Sequence, residues 1–166
     1  MLELIQQFAP YAPFIIFMAA ALDIFFVTGL ILYGAAMIST IAAMYAGGLI
    51  SLEMIALSAY IGTVFGNTIN YGAGRLFKEA PFVAKRLQQP SFTKARSMLQ
   101  NRGLPIFMVV SRFIALIRPL YALLLGSLEI SFKRFIFYEL VIALFWVTFW
   151  MFIIIKGGTL YLYLTS

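Results

Sequence analysis

Two arginines interrupt an apolar run in the sequence SRFIALIRPLYALLLG, residues 111–126. The guanidinium groups of Arg112 and Arg118 carry forked donors that suit the oxygens of a phosphate. A charge at the centre of a bilayer costs about 2.5–3.5 kcal/mol on insertion scales, so charges placed there indicate a function or a buried partner. Asp23, in another apolar segment, is the expected counter-ion. This chemistry predicts recognition of a phosphate-bearing amphiphile, with an acid able to exchange a proton.

The composition of the chain places these side chains in a membrane. Of its 166 residues, 63% are hydrophobic and 11% are charged, and the mean hydropathy is +0.98. Soluble domains carry about 25% charged residues. We therefore predict one integral membrane domain over residues 1–166, built from helices.

Several classes of site are excluded by what the sequence lacks. It contains no cysteine and no histidine, which removes the commonest metal ligands and the commonest general base. No nucleophile is paired with a base, and GNTINYGAG at 66–74 has no phosphate-loop lysine. We therefore expect no metal, no cofactor, no enzyme activity and no nucleic-acid partner.

A basic loop separates the two halves of the chain. Seven of the twelve lysines and arginines lie between residues 75 and 102, with Glu79 as the one acid among them. The positive-inside rule predicts that the loop, about residues 75–103, is cytoplasmic. The same charges could also contact anionic lipid headgroups.

The elements that must position the arginines are uneven in length. Uncharged runs at 24–50, 54–74 and 135–155 can form membrane helices, which need about 20 residues. Segments 11–22 and 104–128 are instead cut by charge, proline or glycine, a pattern typical of broken or re-entrant helices that line a cavity. We expect the re-entrant turns at Gly29, Pro119 and Gly126.

Two further features bear on the site and on assembly. Glu139 lies five residues after Arg134, so we expect it near the interface with its charge reaching water, or as an additional charge partner. Small residues recur at 62–74, and such a face would allow a homodimer.

Three motifs together resemble the DedA family, also called the VTT-domain or SNARE-associated Golgi protein family. They are FGNTINYGAGRLF at 65–77, SRFIALIRPLYALLLG at 111–126 with its two arginines, and FKRFIFYELVIALFWV at 132–147. Their order and the interposed basic loop are also similar to the family, over about residues 10–158. The chain differs at Asn67, where the family usually has aspartate, and at Ala115, where it usually has proline.

The resemblance implies a bacterial inner-membrane, multi-pass protein. Its implied fold is all-α, with two facing re-entrant helical hairpins and several transmembrane helices. Its implied function is transport of a lipid or lipid phosphate, of the undecaprenyl phosphate flippase or phospholipid scramblase type, linked to protons in some members. Membrane lipids, in particular phosphate-bearing ones, are the implied partners. The residues carried over to a substrate-binding or translocation role are Asp23, Asn67, Tyr71, Arg75, Arg112 and Arg118.

Two other functions remain open at this stage. The chain could be an ion- or proton-coupled carrier of a small solute. It could also be a non-transporting membrane scaffold, in which the arginines pair with Asp23 or Glu139 for folding alone.

Overall fold

The computed structural model describes residues 9–24, 45, 48, 50–114, 117, 118 and 120–165. Over these ranges the chain forms helices and no strand, which confirms the all-α prediction for them. A 3-10 turn at Ala9–Tyr11 comes before the first α-helix. The helices are α1 (Ala12–Ile24), α2 (Leu52–Leu76), α3 (Pro81–Leu87), α4 (Pro90–Arg102), α5 (Leu104–Ser111), α6 (Tyr121–Ser127) and α7 (Phe132–Thr165).

Two of the described helices are long and apolar enough to cross a membrane. These are α2 and the part of α7 from Phe132 to Lys156, each of 25 residues. At 1.5 Å per residue each is ~37 Å long, more than the ~30 Å hydrocarbon core of a bilayer. The helices predicted over 54–74 and 135–155 are thus confirmed, whereas most of the run at 24–50 lies outside the described residues.

Glycines bring α2 into backbone contact with two other helices. A Cβ atom at Gly74 would lie 2.0 Å from the carbonyl oxygen of Leu123 in α6, and one at Gly62 would lie 2.4 Å from that of Phe17 in α1. The small-residue face of α2 therefore packs within the chain. Because this face is already occupied by α1 and α6, it does not support the predicted homodimer. The homodimer remains a prediction.

Segment 104–128 forms two short helices, α5 and α6, with Arg118 in the connection between them. Their eight and seven residues correspond to ~12 Å and ~10 Å, so neither crosses a bilayer alone. Every residue of α6 from Tyr121 to Gly126 is buried. The segment is broken as predicted, and its re-entrant course stays a prediction.

Of the three predicted re-entrant turns, the structure describes one. Gly29 and Pro119 lie outside the described residues. The turn expected at Gly126 is wrong, because Gly126 lies inside α6 and the chain turns after it, where Glu129 has a φ of 57°. The glycine serves close packing instead: a Cβ atom there would lie 2.0 Å from the carbonyl oxygen of Tyr71.

Candidate functional site

A buried carboxylate joins four parts of the chain. The Oε1 atom of Glu139, on α7, accepts hydrogen bonds from Arg112 Nη2 at 2.5 Å and from Asn67 Nδ2 at 2.8 Å. Its Oε2 atom accepts a hydrogen bond from the hydroxyl of Tyr121 at 2.6 Å. Arg112 follows the last residue of α5, Asn67 lies on α2 and Tyr121 opens α6. We call these four residues the Glu139 cluster.

Glu139 does not reach water, and of the two expectations for it the structure supports the additional charge partner. Its exposed fraction is 0%, and that of Arg112 is 4%. A guanidinium buried to this extent needs a counter-charge, because leaving one charge of a buried pair uncompensated is strongly destabilising. Glu139 supplies that charge to Arg112.

The Glu139 cluster keeps unused hydrogen-bonding capacity. Among the described residues, Asn67 Oδ1, Ser111 Oγ and Arg112 Nε are buried without a hydrogen-bond partner. Buried polar atoms are paired in the large majority of cases. Asn67 and Arg112 of the cluster, and the neighbouring Ser111, thus each keep one hydrogen-bonding atom unused.

A second ion pair holds Arg118. One guanidinium nitrogen of Arg118 donates to Oδ2 of Asp23, the penultimate residue of α1. The guanidinium also lies 5.6 Å from the ring centroid of Trp146 on α7, within cation–π range. Asp23 is buried and Arg118 only partly so. The two arginines thus take separate counter-ions.

An apolar cavity opens beside the Glu139 cluster. Its volume is about 330 Å³, and Phe113, Phe145, Trp146 and Phe149 form most of its wall. Arg112 is the charged residue in its lining. The cavity therefore has an aromatic surface with a buried arginine behind it, and Trp146 also contacts the guanidinium of Arg118.

Tyr71 and Arg75 are hydrogen-bonded to each other, and among the described residues no hydrogen bond joins either of them to Arg112 or Arg118. Arg75 Nη1 donates to the hydroxyl of Tyr71 at 2.8 Å, and that hydroxyl donates to the carbonyl of Ile130 at 2.5 Å. Arg75 is eight residues along α2 from Asn67, or ~12 Å. The predicted site residues therefore fall into three groups: Asn67 with Arg112, Asp23 with Arg118, and Tyr71 with Arg75.

Sequence reasoning missed Tyr121 and Trp146. A tyrosine hydroxyl inside an apolar run was the available signal for Tyr121, because buried tyrosines generally find a partner for that hydroxyl. For Trp146 the signal was its spacing from Glu139: seven residues are two helical turns, which put both side chains on one face of α7.

Comparisons with known proteins match most of the chain. The model of the VTT domain matches residues 9–156. An uncharacterized membrane protein, BU139, of Buchnera aphidicola subsp. Acyrthosiphon pisum is 25% identical over 144 residues, which are 86% of this chain and 56% of that protein. An uncharacterized membrane protein of Buchnera aphidicola subsp. Schizaphis graminum is 26% identical over 146 residues, 87% of this chain and 58% of the relative. The chain thus spans less than two thirds of these relatives' length. No solved structure gives a significant match.

Proposed function

The chain belongs to the VTT-domain family of membrane proteins, and we propose that it moves a lipid or lipid phosphate across the bilayer. In this proposal the headgroup passes Arg112 and Arg118 while the hydrocarbon tail follows the aromatic wall of the cavity. Undecaprenyl phosphate and glycerophospholipids are the candidate substrates. The setting we propose is the bacterial inner membrane, with the basic loop cytoplasmic and segment 104–128 re-entrant.

The single observation that carries the proposal is the lining of the cavity. Four aromatic residues line the same cavity as Arg112, whose guanidinium is buried behind that wall. An amphiphile has an apolar tail for the aromatic wall and an anionic head for the guanidinium. A small polar solute would leave most of this wall without a suitable contact, so the lining favours a lipid over the small-solute carrier.

The ion pairs suggest how a headgroup would bind. Arg112 and Arg118 are each already paired with a carboxylate. A phosphate would therefore displace Glu139 or Asp23 from its arginine. A carboxylate displaced in this way would lose its counter-charge inside the protein and would need another partner there. Such an exchange would break no bond in the substrate.

A non-transporting scaffold is the second candidate, and one observation favours it. Glu139 ties α2, α6 and α7 to the end of α5 through buried hydrogen bonds. Such a network is also expected of a group retained for folding alone. The two functions differ in what an arginine substitution does to a protein that still folds.

Lipid translocation in proteoliposomes separates these functions. The full chain is reconstituted with a fluorescent phospholipid, and separately with undecaprenyl phosphate, beside Arg118→Ala of equal folded yield. Arg102→Ala, which removes an exposed arginine from α4, is the matched control. The proposal expects translocation by the wild type and the control and its loss in Arg118→Ala.

Two results would count against the proposal. Folded wild type that translocates neither lipid would move the assignment to the scaffold or to the small-solute carrier. Translocation that survives in folded Arg118→Ala would remove Arg118 from the transport site. If Arg118→Ala does not fold, the double variant Asp23→Asn with Arg118→Gln removes both charges and permits the same comparison.

A further inference from the structure

A second pocket lies where the end of α2 meets the start of α7. It has a volume of about 610 Å³ and differs from the aromatic cavity in having several polar and charged residues in its lining. We call it the basic-end pocket. Its lining includes Thr68, Arg75, Glu129, Ser131, Phe132 and Lys133.

Two cations in the basic-end pocket are not neutralised within the described part of the chain. Neither Arg75 nor Lys133 takes part in an ion pair there. The hydroxyl of Tyr71 accepts a hydrogen bond from Arg75 Nη1 at 2.8 Å. This contact orients the guanidinium but does not neutralise its charge, because the hydroxyl is uncharged. The lining therefore includes two positive residues, of which Arg75 is held in place by its hydrogen bond to Tyr71.

The one acid in the lining is engaged by a different lysine. Glu129 Oε1 lies 2.8 Å from the Nζ atom of Lys78. The hydrogen bond and charge of Lys78, with a smaller contribution from Arg75, hold the pKa of Glu129 below its ordinary value. Glu129 is thus an anion whose charge is mainly offset by Lys78, so the pocket as a whole remains cationic.

Other groups of the pocket suit a phosphate attached to an apolar tail. Ser131 adds a hydroxyl beside the first turn of α7, where the helix dipole favours an anion. Leu76 and Phe132 also line the pocket and are 75% and 46% exposed, leaving apolar surface beside the charges. Arg75 and Lys133 each lie one residue from the end of a helix long enough to span, at the depth where headgroups are expected.

We propose that the basic-end pocket binds a phosphate group through Arg75 and Lys133, as an anion site separate from the Glu139 cluster. Six residues of α7, or ~9 Å, separate Lys133 from Glu139. A membrane lipid headgroup and free phosphate share this chemistry, and the experiment below distinguishes them. The site deepens the proposed transport function as a place for the headgroup at one membrane surface, but binding there does not require transport.

Native mass spectrometry of the full chain in detergent tests the site. The probes are dioleoyl phosphatidic acid, dioleoyl phosphatidylcholine as the zwitterionic reference, and inorganic phosphate as competitor. Lys133→Ala should weaken binding of phosphatidic acid about fivefold, the effect of one cation near a charged headgroup. Glu129→Gln should strengthen it by a similar factor, because it removes the anion of the pocket and releases Lys78.

Arg134→Ala is the matched control. It removes the same charge from the neighbouring position of α7, about 100° around the helix, and Arg134 is outside the pocket lining. The site predicts a change of less than about twofold for this control, since only a general surface field would act there. Arg75→Ala should weaken binding as Lys133→Ala does. If Arg75→Ala does not fold because it loses the contact with Tyr71, the comparison of Lys133→Ala with Arg134→Ala is sufficient.

Each outcome decides a different point. Saturable phosphate binding that Lys133→Ala weakens supports the site, and efficient competition by inorganic phosphate would identify free phosphate as the ligand. Equal losses in Lys133→Ala and Arg134→Ala would overturn it, as would equal binding of the two lipids. Because this experiment measures binding, it can support the site even if no lipid is translocated. Translocation without binding at this pocket would support the proposed function and exclude the site.

Discussion

The guanidinium of Arg112 and the carboxylate of Glu139 meet at 2.5 Å although the residues are 27 positions apart. Both side chains are almost completely buried. The contact joins the end of α5 to α7, and it is the point at which the stability of the fold and the proposed transport chemistry depend on the same atoms.

Removing the carboxylate should destabilise the protein strongly. Glu139→Gln leaves Arg112 buried without a counter-charge, for which we expect a loss of about 3–5 kcal/mol. The double variant Arg112→Met with Glu139→Met removes both charges and should be more stable than Glu139→Gln. Thermal unfolding in detergent, followed by circular dichroism, measures both. A double variant no more stable than the single one would show that the ion pair is not the source of the loss.

Tyr121→Phe should cost less. It removes one hydrogen bond to a charged acceptor and leaves the ring in place, which corresponds to about 1.5–3 kcal/mol. The matched control is Tyr11→Phe, at a tyrosine that is 63% exposed. Chemical denaturation of the two variants gives the comparison, and equal stabilities would remove Tyr121 from the Glu139 cluster.

Two glycine substitutions should have opposite effects. Gly126→Ala would place a Cβ atom 2.0 Å from the carbonyl oxygen of Tyr71, so α6 would have to separate from α2, and folded yield should collapse. Gly72→Ala meets nothing within 4 Å and should stabilise α2 by about 0.5–1 kcal/mol. Size-exclusion profiles and unfolding temperatures report both. A well-folded Gly126→Ala would contradict the backbone contact.

The exposed pair of Lys78 and Glu129 should make stability depend on pH at both extremes. The pKa of Glu129 is lowered by Lys78, so its contribution is present at neutral pH and is lost as the pH falls through that lowered pKa. The pKa of Lys78 is raised by the hydrogen bond that it donates to Glu129 and by the charge of that carboxylate, so the same contribution is lost as the pH rises through the raised value.

Unfolding temperatures of the wild type and Glu129→Gln, measured from pH 3 to pH 11, test this dependence. The difference between them should be largest near neutral pH and should shrink in high salt, because the pair is exposed. A difference that does not vary with pH would contradict the pairing.

The membrane setting of the chain and its two long helices could be predicted from the sequence, because both depend on local composition. Apolar runs of about 20 residues specify membrane helices with little influence from tertiary structure. The pairing of Arg118 with Asp23 was also within reach, since Asp23 is an acid in an apolar segment.

Glu139 was one of two acids expected to pair with the arginines, but its choice of Arg112, its other hydrogen bonds and the role of Gly126 could not be predicted in this way. Glu139 lies close to a basic pair in sequence, and the packing of α2 and α6 against it is what buries its carboxylate. Gly126 is equally suited to a turn and to close packing, and the backbone of α2 decides between them. Both depend on contacts between residues more than ten positions apart.

The contacts of Gly74 and Gly126 have a mechanical consequence. A carbonyl oxygen of each helix lies where a Cβ atom on the facing glycine of the other helix would be. The helices α2 and α6 therefore cannot slide past each other and form one rigid block. Gly62 and Gly66 bring α1 comparably close to α2, so α1 belongs to the same block, and relative movement of the helices is expected where the block meets α7. Arg112–Glu139 joins the end of α5 to α7, so such a movement would have to stretch or break this buried ion pair.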